Sequence, residues 1–366
     1  MRCLRLFLLF CGICGLFLGC AAQGPPHPPR LQVPERIANL AVHQVGQSLE
    51  LSFTPPTVAM DGEGLTKPVE VEIFREIGAP GTAQSPRPNS NSAISLSIIG
   101  SPWVTLEASE LARLARGQKV VYLDRLSEPQ FASSLGSTFS YGVRALTRGF
   151  RRHALLSELS NRADATLLDV SGPVVNLKAV TTEKALLLSW EVPARTLSGA
   201  AHPHPADYRI YRSEKPKLEA FNVAGESKET AYLDPHFEFG RTYRYKVRAV
   251  FKQATQEAES QDSEPTELIP QDTFPPQAPQ GLTALYTVGT VELVWNANLE
   301  VDLAGYNVYR REEGKPSQRI NKDLVPTPVY RDSAIEAQRH YFYQVTAVDA
   351  SGNESKPSTE ARAVTE

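Results

Sequence analysis

A pattern of four blocks occurs three times, in the same order, along this chain, and no other feature constrains its fold as tightly. The first block opens on a leucine and reaches a large aromatic thirteen residues later: Leu40 to Phe53, Leu177 to Trp190, Leu282 to Trp295. Just before the aromatic, apolar residues occupy every second position: Leu49, Leu51 and Phe53; Leu186, Leu188 and Trp190; Val291, Leu293 and Trp295. A period of two marks a strand with one buried face, and Gly46 and Gly289 mark the turns before it. The second block is Val71, Ile73, Phe74 and Arg75, then Tyr208, Ile210, Tyr211 and Arg212, then Tyr306, Val308, Tyr309 and Arg310. The third pairs an aromatic with an aspartate two residues on: Tyr122 and Asp124, Tyr232 and Asp234, Tyr330 and Asp332. The fourth alternates again, as Phe139, Tyr141, Val143 and Ala145, then Tyr243, Tyr245, Val247 and Ala249, then Tyr341, Tyr343, Val345 and Ala347. Self-similarity of this kind signals tandem modules, so the chain is predicted to be all-β, with three sandwiches at 32–168, 170–271 and 273–366.

The first copy is enlarged. Phe139 follows Phe53 by 86 residues, against 53 from Trp190 to Tyr243 and 46 from Trp295 to Tyr341. Two inserts account for the excess. Gly78 to Asn91 is rich in Gly, Pro, Ser and Asn and reads as a loop. Thr105 to Gly117 places Leu106, Leu111 and Leu114 at helical spacing, which predicts a short helix with Gly117 as its stop. Gly172-Pro173 lies between the first two modules, and Pro270 to Pro279 carries four prolines between the last two. Such joints predict modules held apart in an elongated molecule.

All four cysteines, at 3, 11, 14 and 20, lie within the first twenty residues, so no disulfide or thiolate site is available further on. Arg2 and Arg5 precede thirteen apolar or small residues, Leu6 to Leu18. That run is shorter than the ~20 residues a membrane-spanning helix needs and suits the core of a signal peptide, residues 1–19. The alternative is a plain secretory signal cut elsewhere. A proline-rich tether, residues 20–31 with the stretch to Arg36, would reach on the order of 50 Å when extended. The formal net charge of −3 gives no basic surplus for nucleic acid.

Two resemblances sharpen this reading. Phe17-Leu18-Gly19-Cys20, followed by Ala21-Ala22, resembles a bacterial lipobox, with Phe17 where leucine is usual. It implies that Cys20 carries lipid, palmitate among the acyl chains, and becomes the mature N-terminus of a cell-envelope protein. Ala21 after the cysteine resembles the outer-membrane sorting pattern, if the host has two membranes. The third copy closely resembles bacterial fibronectin type III modules: Pro275-Pro276 opens it, Trp295 sits on its second strand, Gly305 to Arg310 follow, and Tyr341 to Asp349 with Gly352 to Ser355 close it. The resemblance is good for the second copy and weaker for the first. It implies that Trp190 and Trp295, and Phe53 in the first copy, are core aromatics, and that Tyr243 and Tyr341 occupy tyrosine corners. Phe139 takes the corner position in the first copy and has no hydroxyl.

Chemistry-bearing candidates are few. His202 and His204 lie two apart without a third ligand near in sequence, so no metal site is expected; His27, His43, His153, His236 and His340 are scattered. Arg144, Arg148, Arg151, Arg152 and His153 cluster near one hairpin and read either as a solvated charged face or as a contact for an anionic glycan or lipid head groups. Asp349 to Glu354 suggests calcium but lacks the ligand periodicity of an EF-hand and matches the family's last hairpin. No nucleophile-elbow, phosphate-loop or zinc-helix motif is present, so neither an active site nor a cofactor is expected. The Asp of each third block recurs at a strand end, which points to a structural role. Two functions follow: a membrane-anchored spacer or protein-interaction module, or a glycan-binding accessory of an extracellular polysaccharide system.

Overall fold

The computed structural model describes residues 32–80, 101–201, 203–214 and 221–366. The signal peptide, Cys20, the tether to residue 31, most of the first insert and His202 lie outside the described residues. No helix among the described residues is long and apolar enough to cross a membrane.

The first repeat holds β1 (Ala41–Val45), β2 (Ser48–Phe53), β3 (Glu70–Ile77), β4 (Val104–Leu106), β5 (Ala115–Arg116), β6 (Lys119–Arg125), β7 (Thr138–Arg148), β8 (Ala154–Leu156) and β9 (Ala163–Thr166). One sheet runs β1-β2-β6-β5 and the other β4-β3-β7-β8, with β9 also on β7. The second repeat holds β10 (Val175–Thr181), β11 (Leu186–Glu191), β12 (Asp207–Ser213), β13 (Asn222–Ser227), β14 (Ala231–Asp234), β15 (Tyr243–Gln253), β16 (Gln256–Glu259) and β17 (Thr266–Leu268). Here β10-β11-β14 faces β13-β12-β15, which β16 and β17 extend. The third repeat holds β18 (Thr283–Thr287), β19 (Thr290–Val294), β20 (Leu303–Glu312), β21 (Gln318–Arg319), β22 (Val329–Asp332), β23 (His340–Asp349) and β24 (Ala361–Val364), as sheets β18-β19-β22 and β21-β20-β23-β24. Two sheets per repeat, three strands against four in the third and with added strands in the first two, form the fibronectin type III sandwich.

The period-two residues face inward. Leu49, Leu51 and Phe53 alternate with half-buried neighbours along β2, and Val71, Ile73, Phe139, Tyr141 and Val143 meet them from the opposite sheet. Val291, Leu293, Trp295, Tyr306, Val308, Tyr341 and Tyr343 fill the third core in the same way. Trp190 and Trp295 are 4% and 3% exposed. Each packs edge-on against the tyrosine of its second block, Tyr208 at 5.3 Å and Tyr306 at 5.1 Å between ring centroids. The Tyr243 hydroxyl accepts the backbone N–H of Glu238, and that of Tyr341 the N–H of Glu336, both at 2.9 Å.

In the first repeat the predicted helix forms as α1 (Ala108–Leu114), with Glu107 and Glu110 closing a capping box at its start. It stops before Gly117, because Ala115 and Arg116 pair with β6 as β5, and Gly117 instead turns the chain between them at φ +64°. A second helix, α2 (Glu128–Ser133), was not expected. Ser127, Pro129 and Gln130 start it. Its end replaces the missing corner bond: the N–H of Ser134, five residues before Phe139, donates to Gln130 O and Phe131 O.

The chain forms two compact units that do not follow the repeat boundaries. One comprises the described residues up to Gly172 together with Ala194–His204 and Val250–Gln261; the other comprises Pro173–Pro193, Pro205–Ala249 and Asp262–Glu366. Within the first unit, β1 pairs in parallel with β16, Gln44 opposite Ala258 and Val45 opposite Glu259. The expectation that proline-bearing joints hold neighbouring modules apart therefore fails at the first joint. The Gln44 side chain is 1% exposed; its amide donates to Leu168 O and Gly46 O and accepts from Leu168 N. Leu168, Val170 and Ala258 form a small apolar cluster beside it. Gly46 is required here twice over: its φ is +58°, and a Cβ would stand 2.5 Å from Gln261 Cγ.

Candidate functional site

The carboxylates most suggestive of chemistry are the three aspartates of the third block, and the fold places them alike. Asp124 on β6, Asp234 on β14 and Asp332 on β22 are 2–3% exposed. Each meets a guanidinium from the opposite sheet: Arg75 on β3 at 2.8 Å, Arg212 on β12 at 2.8 Å and Arg310 on β20 at 2.7 Å. Each also accepts a phenol proton from the neighbouring strand: Tyr141 at 2.6 Å, Tyr245 at 2.8 Å and Tyr343 at 2.9 Å. Burial, and then the bond to the carboxylate, push all three phenols far above the ordinary tyrosine range, so they stay protonated donors. Burial opposes charge on Arg212 and Arg310, but hydrogen bonds and charge attraction, from Asp234 and Glu214 on the one and from Asp332 on the other, together outweigh it and raise both above their ordinary value. Each carboxylate is thus held as an acceptor between its arginine and its tyrosine. The triads clamp sheet to sheet. The arginines' recurrence at the end of each second block was the sequence signal for them, and pairing with the aspartates was not read from it.

The five-residue basic cluster divides in two. Arg144 pairs with Glu72 and Arg148 with Glu70, both at 2.6 Å, and the hydrogen bond from Arg148 holds the Glu70 carboxyl below its usual range. Arg151, Arg152 and His153 sit exposed at the turn between β7 and β8. His204 is exposed, and among the described residues it belongs to no group of metal-ligating side chains. Asp349 is instead brought beside Asp272 and Asp302, one carboxylate oxygen of each lying within 4.8 Å of the others. Asn353 satisfies both oxygens of Asp349, while Ser351 Oγ and Phe274 N donate to Asp272, so the segments around 272 and 349 are clasped together. The spacing of these three aspartates in sequence carries no sign of their meeting.

Within the second unit an open cleft of about 820 Å³ is lined by Phe239, Asp272, Phe274, Pro275, Asn298 and Leu299, among others. Phe239 is 39% exposed and lies 6.4 Å from Phe274, centroid to centroid. Sequence reasoning missed this cleft because its residues come from loops and a linker outside the four blocks.

No family model matches the chain. It is 27% identical over 234 residues to Exoglucanase B of Cellulomonas fimi, covering 61% of this chain and 20% of that protein. Over 96 residues it is 35% identical to an alpha-amylase of Niallia circulans (26% of this chain, 7% of that protein), and over 93 residues 36% identical to an amylopullulanase of Thermoanaerobacterium thermosulfurigenes (25% and 5%). The chain thus spans no more than a fifth of the length of these relatives. Among solved structures, it is 34% identical to an Fn3-like protein from Clostridium thermocellum, covering 24% of this chain and 92% of that one, with a TM-score of 0.22. A two-domain fibronectin type III segment of chicken tenascin is 17% identical, covering 53% and 99%, with a TM-score of 0.33.

Proposed function

We propose that this chain, a series of fibronectin type III sandwiches, is a non-catalytic, lipid-anchored protein of the cell envelope that spaces and presents binding surfaces to a partner protein. The observation that carries the non-catalytic reading is the fate of its recurring polar residues. Asp124, Asp234 and Asp332, the carboxylates that stand out in the sequence, are each enclosed by an arginine and a tyrosine from the facing sheet. The recurring aromatics Phe53, Trp190, Trp295, Tyr243 and Tyr341 are all buried and so offer no face for stacking on a sugar. The anchor rests on Leu6 to Cys20: a signal core too short to span a bilayer, ending in a small residue and a cysteine.

Replacing Cys20 by Ser tests the anchor. Wild type is expected in the membrane fraction, with acyl chains on Cys20 by mass spectrometry, and the variant released or unprocessed. A cleaved variant that fractionates like wild type would end the lipoprotein reading.

A second reading, accessory to a polysaccharide-degrading system, draws on the relatives named Exoglucanase B, alpha-amylase and amylopullulanase. Retention on insoluble cellulose or starch, displaced by soluble oligosaccharide and lost on Phe239→Ala, would favour it. The spacer reading expects no retention.

A further inference from the structure

The turn between β7 and β8 carries Phe150, Arg151, Arg152 and His153, all exposed. Phe150 is 82% exposed, whereas Phe53, Trp190, Trp295, Tyr243 and Tyr341 are buried. The turn is closed on itself: Gly149 N donates to His153 O at 2.7 Å and Arg152 N to Gly149 O at 3.1 Å. Arg151 and Arg152 hold φ of +52° and +61°, a left-handed conformation that side chains with a Cβ disfavour. Backbone of this kind persists where the surrounding structure fixes it, and it clusters at functional turns. Arg144 and Arg148 are neutralised by Glu72 and Glu70. Arg151 and Arg152 form no ion pair among the described residues, and the Arg151 guanidinium lies 5.4 Å from the Phe150 ring.

The place of this tip in the fold is the second observation. Thr147, buried near the end of β7 and two residues before Gly149, donates its hydroxyl to the backbone carbonyl of Gln32. Gln32 therefore sits at the end of the first sandwich that bears Phe150. Eleven residues separate Cys20 from Gln32, and a chain of that length spans at most roughly 40 Å.

We infer that Phe150, Arg151 and Arg152 form a membrane-docking tip, with the phenyl ring entering the interface of an anionic bilayer and the two guanidinium groups on its phosphates. This rests on the lipid-anchored reading: a chain tethered at Cys20 holds the tip near that surface, where a weak contact fixes which face of the first sandwich meets the membrane. Phosphates and an apolar boundary lie together at a bilayer, and the tip offers the matching pair of groups.

The test uses the mature chain from residue 20 with Cys20→Ser, so that no lipid contributes, and vesicles of phosphatidylcholine with and without phosphatidylglycerol. Co-sedimentation is expected with the anionic vesicles, to weaken as salt is raised, and to be slight with neutral ones. Arg151→Glu with Arg152→Glu should weaken it at least about 30-fold, and Phe150→Ser about 10-fold. All three positions are exposed, and circular dichroism should show the variants folded. The inference is overturned if the parent binds neither vesicle, if the variants bind as the parent does, or if a soluble acidic polysaccharide is bound with a loss on arginine reversal and none on Phe150→Ser. The anchor itself is read separately, from acylation of Cys20 in cells, so the tip can fail while the anchor stands, and the reverse.

Discussion

Asp332→Ala removes the hub of the third repeat's triad. Arg310 Nη1 would be left with the carbonyl of Ala334, at 2.6 Å; Tyr343 would lose its acceptor inside the core; and Ala334 N would lose the bond it makes to Oδ1 at 3.1 Å. Breaking a buried pair by removing one member costs about 3–5 kcal/mol, because the remaining charge is left uncompensated. The Arg310 side chain is 23% exposed, so water reaches part of the guanidinium and the lower end applies, about 3 kcal/mol. At an m-value of about 1.5 kcal/mol/M, the urea midpoint of the third repeat should fall by about 2 M. Tyr343→Phe, which deletes one hydroxyl, should cost about 1–1.5 kcal/mol. The double variant should cost less than the sum, since both changes remove the same bond. Hydrogen exchange followed by mass spectrometry along a urea series resolves the repeats, with β19, β20 and β23 as reporters. A midpoint shift under about 0.5 M would refute the clamp. Strict additivity in the double variant would refute the shared hydrogen bond.

Tyr243→Phe and Tyr341→Phe should each cost about 1–2 kcal/mol in thermal or urea melts, by leaving the Glu238 or Glu336 amide without its acceptor; Phe139→Tyr should bring no matching gain, because Ser134 N is already bonded within α2. Asp262 offers a pH test: burial pushes its carboxyl up, but the hydrogen bonds of Arg248 and Lys246 outweigh that and hold it below the ordinary carboxylate range. Its folded value being depressed, its stabilisation is present above the unfolded value, about 3.9, and is lost as pH falls through the folded one. Asp262→Asn should therefore destabilise at pH 7 and lose that effect on acidification below about pH 3; an equal penalty at both ends would count against the assignment.

Much of each sandwich was legible because its information is periodic and local. Leu49, Leu51 and Phe53 declare a half-buried strand by alternation alone, and three occurrences remove the ambiguity a single short run would carry. Phe139 was legible as a departure, yet what stands in for its hydroxyl was not. The capping signals Ser127, Pro129 and Gln130 lie in plain sequence, but a six-residue helix has too few turns to show an apolar period. The triads were half legible: Asp and Arg recur at fixed positions, while their pairing depends on which faces of two sheets are opposed. Asp272, Asp302 and Asp349 were illegible, since three segments distant in sequence must fold before the carboxylates meet.

The first joint shows most clearly where such reading ends. A periodic pattern specifies what each strand buries on its faces and says nothing of what its edge will meet, because the edge presents only backbone. The outer edge of β1 takes β16 in parallel, and Gly46 N adds a bond to Glu259 O at 2.8 Å. The edge pairing is made specific by side chains that interrupt the apolar rule. Gln44 is a polar residue on a strand where alternation places a buried position, and its amide uses donors and acceptor to bind Leu168 and Gly46. Glu259, 1% exposed, faces His43 at 3.7 Å. Buried polar groups that are fully paired contribute little net stability, but they penalise any other register heavily. The prolines near this joint limit the conformations of the connecting backbone, while Gln44, Gly46 and the edge of β1 select the one in which a hairpin of the second repeat becomes part of the first compact unit.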